Sequence, residues 1–195
     1  MTPVIVKTMT AAVLVTLFGT AATFQSANAD TISIRAIPGL KLITMENVRS
    51  IKHLSVMTCK GRPVTMWGTP GGDYIVGTPG PDVIYAGAGN DRVDGRGGND
   101  IICGGKGNDT LNGNLGKDRI YGGKGHDTIN GGRGNDRLFG QRGEDRMYGG
   151  PGRDKLFGGA DYDSLNGGSG DDYMNGGVGN NGCDDGQGDN TEVNC

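Results

Sequence analysis

The sequence predicts an all-β fold built by stacking short repeats, and three observations predict it. Thirteen nonapeptides run without a gap from GTPGGDYIV (68–76) to GGVGNNGCD (176–184). Each ends in a three-residue segment with an apolar middle residue, a minimal strand with one inward side chain. Thirty-five of the forty glycines lie in these units, where paired and spaced glycines permit a tight turn. A linker of drifting composition would not hold three places in phase over 117 residues. One nonapeptide cannot bury its apolar face alone, but stacked copies can.

Taken in order, the first 29 residues read as a cleaved export signal. MTPVIVK carries one lysine, AAVLVTLFGTAATF (11–24) is an apolar run, and Ala27-Asn28-Ala29 is an A-x-A cleavage pattern. A membrane anchor is the alternative, but the run is short for a span. Cleavage would start the mature chain at Asp30 and, by removing Lys7, take the net charge from −3 to −4. The expected location is therefore secreted and extracellular, with no membrane span after cleavage.

Residues 30–67 form a leader and N-terminal cap, with TISIRAI (31–37) as a strand, Pro38-Gly39 as a turn and 42–57 as a short amphipathic helix. At roughly 38 residues the leader is too small for an enzyme domain. Residues 68–184 are the repeats, and 185–195 form a C-terminal cap.

The sixth place of the repeat is Asp73, Asp82, Asp91, Asp100, Asp109, Asp118, Asp127, Asp136, Asp145, Asp154, Asp163 and Asp172; only Asn181 breaks the series. The eighth place is aliphatic or methionine in every unit but the last, which carries Cys183. Stacking puts like carboxylates in columns, and like charges at such spacing repel. The fold must neutralise them, and carboxylates beside glycine-turn carbonyls suit a hard cation that takes six to eight oxygens, Ca²⁺.

The pattern G-G-x-G-x-D-x-U-x resembles the calcium-binding nonapeptide of the repeats-in-toxin family. GTPGPDVIYAGAGNDRVDGRGGNDIICGGKGNDTLNG with the closing GCDDGQGDNTEVNC also resembles small secreted calcium-binding proteins of actinobacteria. The resemblance implies a parallel β-roll, a right-handed solenoid with two nonapeptides per coil. It implies calcium between turns one coil apart, held by the twelve aspartates and by turn carbonyls. Thirteen units would make about six and a half coils, a rod roughly 30 Å long. Arg96, Asn114 and Gln141 at the second place and Asp161 at the fourth depart from the pattern, which leaves roughly eight to ten good Ca²⁺ sites. The expected function is a secreted, non-enzymatic calcium-ion-binding protein that folds on the metal.

If a coil is 18 residues, as the resemblance implies, its two sides should differ, and the ninth place shows that they do. At the outward ninth place one side carries Tyr85, Cys103, Tyr121, Phe139 and Phe157, beside a seventh-place column of Arg119, Arg137 and Lys155. The other carries an asparagine ladder, Asn112, Asn130 and Asn166, among Val76, Asp94, Tyr148 and Asp184. Such ladders stabilise stacked sheets. Exposed aromatics with cations also suit a cell-surface polysaccharide, an anionic polymer or a partner protein, so a calcium-dependent adhesin or glycan-binding module is the second reading. An accessory module of an enzyme is a third, weakened by the lack of a catalytic domain. The repeats carry 17 acids and 12 bases; about ten calcium ions would turn their net −5 to about +15.

Four cysteines in an exported chain favour disulfides, and no CxxC pair points to zinc. Three connectivities are possible. Cys183–Cys195 would fold the tail over the last coil and leave Cys59–Cys103, and Trp67 reads as a cap residue. The mild net charge points away from nucleic acid. GGKGNDT lacks phosphate-loop spacing, and His53 and His126 stand without a nucleophile arrangement.

Overall fold

A computed structural model describes residues 58–195, together with the backbone of four short strands, Val15–Leu17, Thr20–Ala22, Gln25–Ser26 and Ile32–Ser33. Ile32–Ser33 falls within the strand expected at 31–37. The helix expected at 42–57 and the cleavage site at 27–29 lie outside the described residues. Among the described residues there is no helix, and none therefore long and apolar enough to cross a membrane.

Residues 58–195 form a parallel β-roll of two sheets that share one thin core. One sheet has seven strands, from Tyr74–Val76 through Arg92–Asp94, Thr110–Leu115, Thr128–Arg133, Arg146–Pro151 and Ser164–Ser169 to Gly182–Asp184. The other has eight, from Met66–Trp67 through Val83–Ala88, Ile101–Lys106, Arg119–Lys124, Arg137–Arg142, Lys155–Ala160 and Tyr173–Val178 to Thr191–Val193. The chain alternates between the sheets every nine residues. Each parallel pair is offset by 18, as in Ile84↔Ile102↔Ile120. Two nonapeptides therefore make one coil.

The eighth-place residues are the core. Ile84, Ile102, Leu111, Ile120, Ile129, Leu138 and Leu156 are completely buried. The place alternates between sheets, so the two rows meet face to face. With one apolar side chain per nine residues this core is narrow, and the backbone ladders along the stack carry much of the order. Except for Arg92–Asp94, the interior strands run six residues rather than three. They extend through the first three places of the next unit, whose glycines pair in register, as Gly105 does with Gly87 and Gly123.

The stack is longer than its glycine pattern. Before the first unit, Met66 is buried and pairs with Ile84, while Trp67 pairs with Tyr85 at the edge of the eight-stranded sheet. A hairpin of Thr58–Cys59 and Arg62–Pro63 precedes it. Lys60 and Gly61 turn that hairpin with φ of 51° and 79°, the double positive φ of a tight two-residue loop. Past Asp184, residues 185–193 make one further turn: Thr191–Val193 pairs parallel with Tyr173–Asn175, and Asn190 takes the sixth place. Glu192 occupies the eighth place of that turn and is exposed, which ends the apolar column with a charge.

The disulfides are Cys59–Cys103 and Cys183–Cys195, with Cα separations of 6.0 and 5.5 Å. The first ties the entry hairpin to the second coil. The second closes the tail over Cys183, which packs against the last core layer.

Candidate metal centre

Each sixth-place aspartate sits where a glycine turn enters a strand, so the carboxylates form two columns, one leading into each sheet. Within a column, one carboxylate oxygen caps the coil before it. The Asp109 amide donates to Asp127 Oδ1 at 2.8 Å, and the Asp118 amide to Asp136 Oδ1 at 2.8 Å. The same bond recurs down both columns and ends on Asn181 and Asn190, whose Oδ1 atoms accept from the amides of Asp163 and Asp172. Asparagine serves here because this bond needs only an acceptor.

The second oxygen has no such partner. Oδ2 of Asp91, Asp100, Asp109, Asp118, Asp127, Asp136, Asp145, Asp154, Asp163 and Asp172 is buried and accepts no hydrogen bond. A buried carboxylate oxygen without a partner is among the costliest groups a fold can hold. Ten in register mark a place for cations rather than ten defects.

The glycines shape that place. A Cβ added at Gly104 would overlap Asp109 Oδ2 and approach the Gly122 carbonyl at 2.7 Å. Gly107 has φ +121°, and a Cβ there would overlap the Gly89 carbonyl one coil back. Side chains are excluded, and the turn presents only peptide oxygens and the carboxylate. Among the described residues no group of three or more His, Cys, Asp or Glu side chains converges on one point, so a bound ion must draw on backbone carbonyls. Carbonyl and carboxylate oxygens fit calcium; the site offers neither the nitrogen nor the sulfur that zinc favours.

The electrostatics agree. Burial pushes Asp100, Asp109, Asp145 and Asp154 up to about 7 and Asp127, Asp136 and Asp163 up to about 6. It also raises Asp91, Asp118 and Asp172. The amide bond to Oδ1 opposes the rise in every case, and for most of them a like-charged neighbour adds to it. A divalent cation beside the carboxylates would favour their ionised form and oppose the rise.

Two of the twelve aspartates differ. Asp73 Oδ2 accepts from the Thr69 amide at 2.6 Å and its hydroxyl at 2.9 Å; Asp82 Oδ2 accepts from the Thr78 amide at 2.7 Å and its hydroxyl at 3.0 Å. In these first two units threonine replaces the second glycine and occupies the free oxygen. The threonines are visible in GTPGGD and GTPGPD, but nothing in the sequence says where their hydroxyls go. The other departures are absorbed by strain: Arg96, Asn114, Gln141 and Asp161 hold φ of 71°, 73°, 87° and 82°. Asp161 also accepts from the Gly143 amide at 3.2 Å, across to the preceding coil.

On the eight-stranded sheet, Tyr121, Phe139 and Phe157 stack with centroids 4.7 and 5.0 Å apart and planes within 7°. Tyr173, a seventh-place residue outside the expected ladder, closes one end at 5.7 Å. The Lys60 ammonium closes the other, 4.7 Å from the centre of the Tyr121 ring. Tyr85 is separated from this ladder by the disulfide-bonded Cys103. Arg119, Arg137 and Lys155 are exposed and adjacent in register.

A stacked two-sheet roll with glycine turns, columns of half-satisfied carboxylates and carbonyl ligands defines a calcium-binding repeat protein. Residues 67–102, 97–129, 124–156 and 148–182 match the RTX calcium-binding nonapeptide repeat, and the chain belongs to that family. No curated protein matches the chain.

Proposed function

We propose that this chain is an exported, non-enzymatic calcium-binding β-roll whose repeats fold when they bind calcium outside the cell. The observation that carries the reading is the set of ten buried Oδ2 atoms without a hydrogen-bond partner. Asp91 to Asp172 would hold about ten ions, with Asp73 and Asp82 committed to threonine and contributing least. Bound calcium supplies the positive charge that lets stacked carboxylates stay ionised in the interior. Residues 1–29 as a cleaved signal, 30–67 as leader and two disulfides in a short chain support export to an oxidising, calcium-rich compartment. Without the ion, glycine entropy and carboxylate repulsion oppose folding. A calcium titration followed by circular dichroism and Trp67 fluorescence tests this. Strong β signal in EDTA that calcium leaves unchanged would overturn it.

The second reading is a calcium-dependent adhesin that binds a cell-surface polymer or protein through the side bearing Tyr85, Tyr121, Phe139 and Phe157. The stacked rings spend their faces on one another, so this side offers a partner ring edges and the cations Arg119, Arg137 and Lys155. Retention of the calcium-loaded protein on cell-wall glycan, lost in the Phe139→Ala/Arg137→Ala variant, is the expected result. Unchanged retention would count against it.

A further inference from the structure

Where the turns enter the eight-stranded sheet, a groove crosses three coils, and we infer that it is a docking site for a linear phosphate-bearing polymer. The proposal deepens the adhesin reading and rests on the calcium reading. The groove is lined by the cations Lys117, Arg119, Arg137, Arg153 and Lys155, with Asp118 and Asp136 at its floor. All five cations are exposed and both aspartates are buried. Arg119, Arg137 and Lys155 are direct neighbours on adjacent parallel strands, a spacing of about 4.8 Å. Like charges so placed destabilise a sheet unless something opposite neutralises them.

Little within the protein does. Among the described residues the one ion pair on these cations is Arg153–Asp171 at 2.9 Å, with side chains 72 % and 48 % exposed, a rim pair that contributes little. The flanking fifth-place backbone is pinned: the Lys117 amide donates to Asn99 Oδ1 at 2.8 Å and the Arg153 amide to Asn135 Oδ1 at 3.0 Å. The Asp118 and Asp136 carboxylates are the only acids lining the groove, and calcium bound to them leaves Lys117, Arg119, Arg137 and Lys155 without counter-charge. Three of the five cations are arginines, whose planar forks match tetrahedral oxyanions two oxygens at a time. The cationic column stops at Ile101 on one side and Tyr173 on the other. It therefore spans two strand spacings, about 10 Å, and grips a short run of a longer polymer.

The test is retention of the full-length, calcium-loaded protein on immobilised poly(glycerol phosphate), with heparin and hyaluronate columns as sulfate and carboxylate arms. The groove variant is Arg119→Ala/Arg137→Ala/Lys155→Ala. Its charge-matched control is Lys106→Ala/Lys124→Ala/Arg142→Ala, a second exposed column in register on the same sheet. We expect the groove variant to lose retention and the slope of log affinity against log salt to fall by about two, while the control is retained like the unmodified protein. Equal loss in both variants, loss in neither, or no retention of the unmodified protein overturns the site. Equal retention on hyaluronate overturns the phosphate assignment. Should the triple variant fail to fold, Arg137→Gln reads the same loss at smaller amplitude. Circular dichroism in calcium separates this outcome from failure of the calcium reading, which would appear as an unmodified protein that does not respond to the ion.

Discussion

Replacing Leu138 by alanine tests how many ions are coupled to folding. Leu138 is completely buried in the middle of the roll, between Ile120 and Leu156 one coil to either side. The flanking strands are locked in register, so the cavity cannot collapse, and the expected loss is about 3 kcal/mol. If folding takes up about ten ions, calcium stabilises the fold by about ten times RT ln of its concentration, and a small rise in calcium restores the loss. The calcium midpoint should then rise only about 1.7-fold. If two ions were coupled, the same defect would move it more than about tenfold. Urea unfolding at saturating calcium measures the loss, a calcium titration by circular dichroism measures the midpoint, and their ratio counts the ions. A midpoint shift of tenfold for a loss near 3 kcal/mol would refute the inference that the ten free Oδ2 atoms act together.

The pH dependence has opposite signs with and without calcium. In calcium-depleted protein the buried aspartates bind protons more readily folded than unfolded, about 7 against 3.8 for Asp100 and Asp109. Stability should therefore rise as pH falls from 7 towards 4, read as stronger β signal at the lower pH. In calcium, protons compete for the same oxygens, and the calcium midpoint should rise over that range. Gln141→Gly should stabilise the loaded roll by about 0.5 kcal/mol, because relief of its φ of 87° outweighs the added entropy of glycine; the urea midpoint reads it. Removing Cys59–Cys103, a sequence separation of 44, should cost about 4 kcal/mol, and removing Cys183–Cys195, a separation of 12, about 3 kcal/mol. Hydrogen exchange should place the second loss in the last coil.

Much of the site was legible because the repeat is its own alignment. Thirteen copies in one chain show that place six must carry oxygen, place eight must be apolar and place four must tolerate positive φ. Of the three possible cysteine pairings, the one that the positions of the cysteines near the ends favoured is the one the structure has. Illegible were the places where side chains land once the chain folds, within a turn and from one coil to the next. Thr69 and Thr78 look like ordinary variation at the second place until their hydroxyls are found on Asp73 and Asp82. Tyr173 is out of phase with the ring ladder by two places yet packs on Phe157. Residues 185–193 carry too few of the marker residues to read as a repeat, but Asn190 supplies the one acceptor that the Asp172 amide requires.

By itself the sequence determined the period, the inward row and the identity of the carboxylates, because each is a property of one nine-residue unit repeated; the two-nonapeptide coil was implied by the family resemblance and is seen in the pairing of strands 18 residues apart. Only the tertiary structure decided which carboxylate oxygens are committed, where the stack begins and ends, and which cations share a groove. Most of those depend on residues 18 apart in the chain and one strand spacing apart in space, and the rest on where a turn side chain lands. The two oxygens of each aspartate are chemically identical in the sequence. They become different only when the neighbouring coil donates an amide to one and leaves the other facing a turn of carbonyls.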